Sequence, residues 1–367
     1  MTRIGWARHD ANDGKARRAG AWTRGRDGAG MAGATVRRAL SVCLAVALVL
    51  VQAQPALAYL KFGYEVNGRE FTLRWTAPVK YWVSDVSVPG VTQSQLQAAA
   101  DAAFRTWAAV PSATVSYQFQ GFTWNLPGED DGRTTLGFRS EPTLDRVLAT
   151  TSYLIDGTTG ELVESDIFFN SAFPWSVADA GERGRWDLQT IATHEIGHLF
   201  GLGHSAIGET ELVSTGGRRV LSSGAVMFPI ALGSGDVTGR TLLADDIAGI
   251  SDLYPAPGFN RDTGSVSGRV TRNGRGVFGA HVVAFDPRAG EMVGNFSLST
   301  NGDFSIAGLR PGPHILRVEP LDDAETGSFF NAAEPTDVTF GAVFYKTIVI
   351  VPKGGDSGAV EIQVTAK

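Results

Sequence analysis

A chain of 367 residues is long for one hydrophobic core and suits a catalytic domain with an accessory module. Its 43% hydrophobic and 19% charged residues, with 45 glycines for turns and short strands, exclude a disordered polymer. The acidic balance, -6 overall, argues against nucleic acid as a partner.

The first 58 residues read as a leader. From Met31 the chain carries Arg37 and Arg38, then the apolar run Ala39 to Val51, then Ala56-Leu57-Ala58, a small-x-small cleavage signature. Residues 31–58 are therefore expected to be a signal peptide cleaved after Ala58, and the protein to be secreted. The run falls short of the ~20 residues a membrane-spanning helix needs, so no transmembrane anchor is expected after processing. Residues 1–30, rich in Arg and Gly without apolar periodicity, are expected to carry no fold. The only cysteine, Cys43, sits inside the run, so the processed chain can form no disulfide. Cleavage also removes 9 of the 32 basic and 3 of the 38 acidic residues, leaving 23 against 35.

Two textures follow, joined near Pro255-Ala256-Pro257-Gly258. Residues 59–256 mix strand-like runs with three helical patterns. An opening strand is expected over Arg74 to Ser84, and a helix over Leu96 to Ala109 behind the capping box Thr92-Gln93-Ser94-Gln95. Short β-branched and aromatic runs at 115–122, 134–139, 148–155 and 163–169 predict one mixed sheet. A second helix is expected over about 187–200 and a third over about 242–253. Residues 257–262 read as a linker, and 263–367 as an all-β module.

The second helix carries the chemistry. His194-Glu195-Ile196-Gly197-His198-Leu199-Phe200-Gly201-Leu202-Gly203-His204 is a full HExxHxxGxxH. His194 and His198 stand one turn apart on one face, so both imidazoles can reach one ion at ~2.1 Å. Gly201 lets the chain leave the helix in a left-handed conformation and bring His204 back. Three histidines leave a fourth position open, as a catalytic zinc requires. Glu195, beside the ligands, is placed to take a proton from a zinc-bound water and pass it to a leaving amine. Lone histidines are commonly surface or core residues, yet this composition gives the motif by chance in roughly one such chain in a hundred thousand. Leu188, Ala192, Ile196 and Leu199 share a packing stripe on another side. Asp187 reads either as the helix N-cap or as a solvated turn residue.

These residues resemble the metzincin zinc peptidases, and more closely the matrixins. Trp186 to Thr193 leading into HEIGHLFGLGHS looks like the matrixin core sequence. Ala225-Val226-Met227-Phe228-Pro229 resembles the methionine turn, and Leu243 to Tyr254 the closing helix. The resemblance implies an α+β fold with a twisted five-stranded mixed sheet and three helices. It also implies one catalytic zinc, Met227 as a hydrophobic floor, and Phe228, Pro229 and Ile230 walling a pocket for an apolar side chain after the scissile bond. Protein or peptide substrates follow from it. Animal matrixins stay latent through a propeptide cysteine and bind a second zinc through further histidines, and this chain offers neither. Asp156, Glu161, Glu164 and Asp166 leave room for calcium; solvated surface carboxylates are the commoner reading.

Residues 263–367 alternate apolar and polar residues between glycine turns, with Asn301-Gly302 as a hairpin signal. They resemble the carboxypeptidase regulatory-like β-sandwich, a module for support or for cell-surface or matrix contact. His281 and His314 read as ordinary surface histidines. The whole reads as a secreted zinc metalloendopeptidase. The alternative is a surface binding or adhesion protein using the zinc domain as scaffold, which the intact Glu195 disfavours.

Overall fold

The computed structural model describes residues 2–10, 60–66, 69–156, 158–159, 161–212, 218–321, 326–330 and 336–367. The apolar run, Cys43 and the Ala58 cleavage site lie outside them. No helix among the described residues is long and apolar enough to cross a membrane.

One sheet organises the first region. Its strands are Thr2–Asp10 (β1), Val79–Ser84 (β2), Tyr117–Thr123 (β3), Thr134–Arg139 (β4), Val147–Ile155 (β5) and Leu162–Asn170 (β6), in the order β1-β5-β6-β4-β2-β3. The three pairings that involve β2 and β4 are parallel, and β5 runs antiparallel to β6. The expected five-stranded mixed sheet is thus present, with one strand added. That addition corrects the expectation of no fold for residues 2–10, while 11–30 lie outside the described residues. Thr2–Asp10 pairs antiparallel with β5 from Thr2↔Ile155 to Asp10↔Val147, and so covers an edge that would otherwise offer unpaired N–H and C=O groups.

Two helices pack on this sheet, Gln93–Ala108 (α1) and Leu188–Leu199 (α2), and a third, Ala244–Leu253 (α3), adds Ile250 and Leu253 to their core. The α1 start is the capping box read from the sequence: Thr92 accepts from the Gln95 N–H, and the Gln95 side chain accepts from the Thr92 N–H. Phe104 and Trp107 of α1 are buried with Leu188, Ala192, Ile196 and Leu199 of α2 in one core. The opening strand is shorter than expected, beginning at Val79. A hairpin of Gly208–Leu212 with Arg218–Ser223 stands between His204 and the methionine turn, unheralded in the sequence.

The C-terminal region is β-rich. Gly264–Arg272 (β7) pairs antiparallel with Asp303–Leu309 (β10) and parallel with Asp356–Gln363 (β12). His281–Asp286 (β8) pairs antiparallel with Glu291–Phe296 (β9) and Gly312–Glu319 (β11). The two sheets share a core in which Val266, Val270 and Ile306 meet Val282, Leu316 and Val318. Ala248 of α3 lies in that core too, so the two regions meet through a helix. Residues expected as a linker include the short helix Phe259–Asp262, whose Phe259 is buried. Asn301-Gly302 does make a turn, with Gly302 at φ 80°, but it carries the chain from β9 in one sheet to β10 in the other. His281 and His314 are 2% exposed, which corrects the surface assignment. His314 lies on the face of β11 that carries Leu316 and Val318 into the core. His281 lies on the other face of β8 from Val282 and Ala284, where it packs on Phe296 at 5.2 Å between ring centroids.

Candidate metal centre

The site is assembled around α2. Asp187 is its N-cap, accepting from the Thr190 N–H at 2.7 Å, and it is buried with Arg240 paired to the same carboxylate, so the solvated-turn reading falls. The last carbonyls of a helix have no intrahelical partner. Here aromatic donors satisfy them. The Tyr153 hydroxyl donates to His198 O at 2.7 Å, Trp75 Nε1 to Leu199 O at 2.9 Å, and the Tyr254 hydroxyl to Phe200 O at 2.7 Å. Upstream, Trp107 Nε1 donates to Thr193 O at 2.8 Å. The helix bearing the histidines is therefore fixed at both ends and at its middle.

Gly201 then turns the chain. Its φ is 105°, and a Cβ there would stand 2.0 Å from the Leu73 carbonyl oxygen, so conformation and space both require glycine. The turn delivers His204 to the two helical histidines. The ligand atoms of His194, His198 and His204 all lie within 4.8 Å of one another, and all three residues are buried.

The second nitrogen of each ring shows what the first is for. Nδ1 of His194 lies 2.7 Å from Val226 O, that of His198 2.8 Å from Leu202 O, and that of His204 2.7 Å from Ser328 O. A carbonyl only accepts, so each Nδ1 carries the proton and each Nε2 presents a lone pair. His198 Nε2 and His204 Nε2 stand 3.2 Å apart. Two lone pairs at that separation repel unless a cation lies between them. Nitrogens bound to one tetrahedral zinc at ~2.1 Å are about 3.4 Å apart, so the donor set fits that ion. Burial also pushes the His204 imidazole down to about 4, against the opposing effect of Ser328 O, which keeps the ring in its neutral ligand form at neutral pH.

Glu195 is fully buried beside the rings. Its Oε2 accepts from the Thr151 hydroxyl of β5 at 2.6 Å, and its Oε1 has no partner among the described residues. Burial raises this carboxyl to about 8, with the Thr151 hydrogen bond acting in the opposite sense. A nearby dication acts as Thr151 does, favouring the carboxylate. One oxygen held and one open leaves a carboxylate that can accept a proton.

Met227 is buried under the helix, so close that a Cβ on Gly197 would fall 2.3 Å from its Sδ. The turn around it is anchored by α3. Asp246 accepts from the N–H groups of Val226 at 2.8 Å, Met227 at 3.0 Å and Leu243 at 2.9 Å. Beside His194 opens a cleft of about 140 Å³ with Phe228, Ile230, Leu232 and Leu243 among its walls. Pro229 is buried and lies outside that lining, unlike its two neighbours.

Two of the four acids singled out in the sequence are not solvated. Glu164 and Asp166 are 1% and 2% exposed because β6 is an interior strand. Asp166 accepts from the N–H groups of Gly128 and Thr135, and Glu164 from that of Gly132. Asp156 accepts from the N–H groups of Thr158 and Thr159 in a turn at the surface.

Comparison with known proteins agrees with the geometry. Residues 74–255 match the family model Peptidase M10, matrixin. This segment is a matrixin domain. Three Arabidopsis thaliana proteins are similar to parts of the chain. Metalloendoproteinase 2-MMP is 37% identical over 26% of this chain and 21% of its own. Metalloendoproteinase 1-MMP is 32% identical over 35% and 31%, and metalloendoproteinase 5-MMP 43% identical over 18% and 14%. The chain thus spans less than a third of each relative. A structural likeness to the Bacillus anthracis TIE protein, at TM-score 0.20 and 13% identity over 29% of this chain and 17% of that one, carries no argument. The matrixin match ends at residue 255 and leaves the C-terminal β region outside it.

The residues that sequence reasoning missed serve the ones it found. Thr151 and Tyr153 come from β5, Asp246 from α3 and Ser328 from the C-terminal region. Asp246 alone had a local signal, the acidic pair Asp245-Asp246 opening a helix close behind the methionine turn.

Proposed function

We propose that this chain is a secreted zinc metalloendopeptidase with His194, His198 and His204 as metal ligands and Glu195 as the catalytic base. One observation carries the reading: three Nδ1 protons are committed to carbonyls, so three Nε2 lone pairs converge next to a buried carboxylate with one open oxygen. Zinc held there supplies a Lewis acid that polarises a peptide carbonyl and acidifies water. Glu195 accepts the proton of the attacking water at Oε1 and returns it to the leaving amine. Thr151 keeps Oε2 fixed while that transfer occurs. Met227 supports the imidazoles from below, and Gly201 keeps His204 in reach.

The cleft walled by Phe228, Ile230, Leu232 and Leu243 suits an apolar side chain after the scissile bond, in protein or peptide substrates. Secretion rests on the Ala39 to Val51 run and the Ala56-Leu57-Ala58 signature. Cleavage there would also release Thr2–Asp10 from the edge of β5. Asp156 and Glu161 are the carboxylates left for calcium, since Glu164 and Asp166 already accept backbone amides.

The test pairs metal analysis with cleavage of a quenched peptide library, comparing wild type with Glu195→Ala. Both proteins should hold about one zinc. Cleavage should fall by about 10²- to 10⁴-fold in the variant, the usual worth of a general base. If both bind zinc and neither cuts, the adhesion reading replaces the enzyme.

A further inference from the structure

The carbonyls that orient the three imidazoles come from different places. Val226 and Leu202, which face His194 and His198, belong to the matrixin domain. Ser328, which faces His204, sits in the helical turn Thr326–Phe329, 124 residues further along and in the C-terminal β region.

That turn is not a loose visitor. The Phe329 ring lies 6.1 Å from the His204 ring and 5.4 Å from that of Phe296 in β9. Phe330 is 5.2 Å from both Phe296 and Phe278. The β region is in turn fixed to α3, where Asp245 Oδ1 accepts from the Gly294 N–H at 2.8 Å and Ala248 enters its core. Asp246, the next residue, holds the Val226 and Met227 amides. Adjacent residues of one helix therefore set both the carbonyl serving His194 and the strand that supports the turn serving His204.

We infer that the C-terminal β region is part of the metal centre, with Ser328 as a positioning residue whose main-chain carbonyl holds His204 with Nε2 toward the ion. The inference rests on the zinc reading above. A ligating imidazole needs its remote N–H bound to keep tautomer and ring orientation, and loss of such a partner typically weakens metal binding. The matrixin domain on its own lacks this third acceptor, so removal of residues 257–367 takes away part of the centre as well as an appendage.

The test uses the full chain and the substitutions Phe329→Pro and Phe329→Ala. Proline disfavours the helical conformation of the residue before it, which turns the Ser328 carbonyl away from His204. Alanine removes the same ring and leaves the carbonyl in the turn. In chelator competition, Phe329→Pro should bind zinc roughly 10- to 100-fold more weakly than wild type, and Phe329→Ala within about threefold of it. A metal-free measurement separates this contact from the enzyme reading. Nitrogen-15 NMR should show His204 protonated at Nδ1, with a slowly exchanging proton, in wild type and Phe329→Ala. Phe329→Pro should show a mixture of tautomers. Equal zinc affinity in wild type and a folded Phe329→Pro, or a wild-type His204 protonated at Nε2, overturns the inference. If Phe329→Pro does not fold, the wild-type tautomer decides alone. A wild type with the protected Nδ1 proton but no zinc affinity would sink the enzyme reading and leave the orienting contact standing.

Discussion

Histidine is buried in both regions of the molecule, with different consequences. In the matrixin domain three rings spend Nδ1 on backbone carbonyls and aim Nε2 at one another. In the C-terminal region His281 meets the Glu319 carboxylate at 3.2 Å, and His314 lies 3.2 Å from Gly312 O with burial lowering its pKa. Burial alone therefore marks nothing. What marks a metal centre is the convergence of unprotonated nitrogens, and that needs one helical turn between two ligands and a glycine that brings the third back. Singletons on β8 and β11 lack both.

The sharpest way to break this contrast is to remove one histidine from each region. His198→Ala should reduce bound zinc from about one per chain to near zero at equimolar metal, because two imidazoles do not make a tight site. His281→Ala should leave zinc content unchanged. Mass-spectrometric metal analysis after desalting reads both, and equal loss in the two variants would remove the contrast between the two regions.

Carboxylates offer a second contrast of smaller size. Asp246 is buried and holds three amides of the methionine turn, so Asp246→Ala leaves three donors unsatisfied and should cost about 3 kcal/mol in urea unfolding. Glu319 is partly exposed, with Arg317 and His281 beside it, and Glu319→Ala should cost under about 1 kcal/mol. Comparable losses would mean that the methionine turn is held by packing rather than by Asp246.

What the sequence disclosed follows the range of the interaction. The capping box at Thr92, the α2 stripe, the glycine after the helix and the three histidines are all patterns within about ten residues, and each stands in the structure where the spacing put it. The mixed sheet was legible because its strands are short β-branched runs between turn residues. The order of those strands, the hairpin over Gly208–Ser223 and the pairing of Thr2–Asp10 with β5 were not, since pairing partners lie far apart in the chain and leave no local period. Polar residues misled for the same reason. Glu164 and Asp166 look like solvated acids until β6 is known to be interior, His314 looks like a surface residue until β11 is known to face a second sheet, and His281 until Phe296 is known to cover the other face of β8. The groups that orient the site, Thr151 at 44 residues from Glu195 and Ser328 at 124 from His204, are visible only once the chain has folded.

The finest test lies between Glu195 and Thr151, both in the matrixin domain, where a hydroxyl holds the carboxylate, whereas Glu319 in the C-terminal region meets the His281 imidazole. The Thr151 hydroxyl donates to the charged form of Glu195 and so lowers its pKa, while burial raises it. Thr151→Val keeps the shape of the side chain and removes the donor. The carboxyl should then hold its proton to higher pH. A protonated base cannot accept another proton, so the acid limb of the kcat/KM profile should move upward by about half to one pH unit, with rates converging on the alkaline side. A purely structural role for Thr151 predicts something else: a fall of the same factor at every pH. The shape of the profile decides between them, because only a residue acting through the Glu195 proton can move the limb without lowering the plateau.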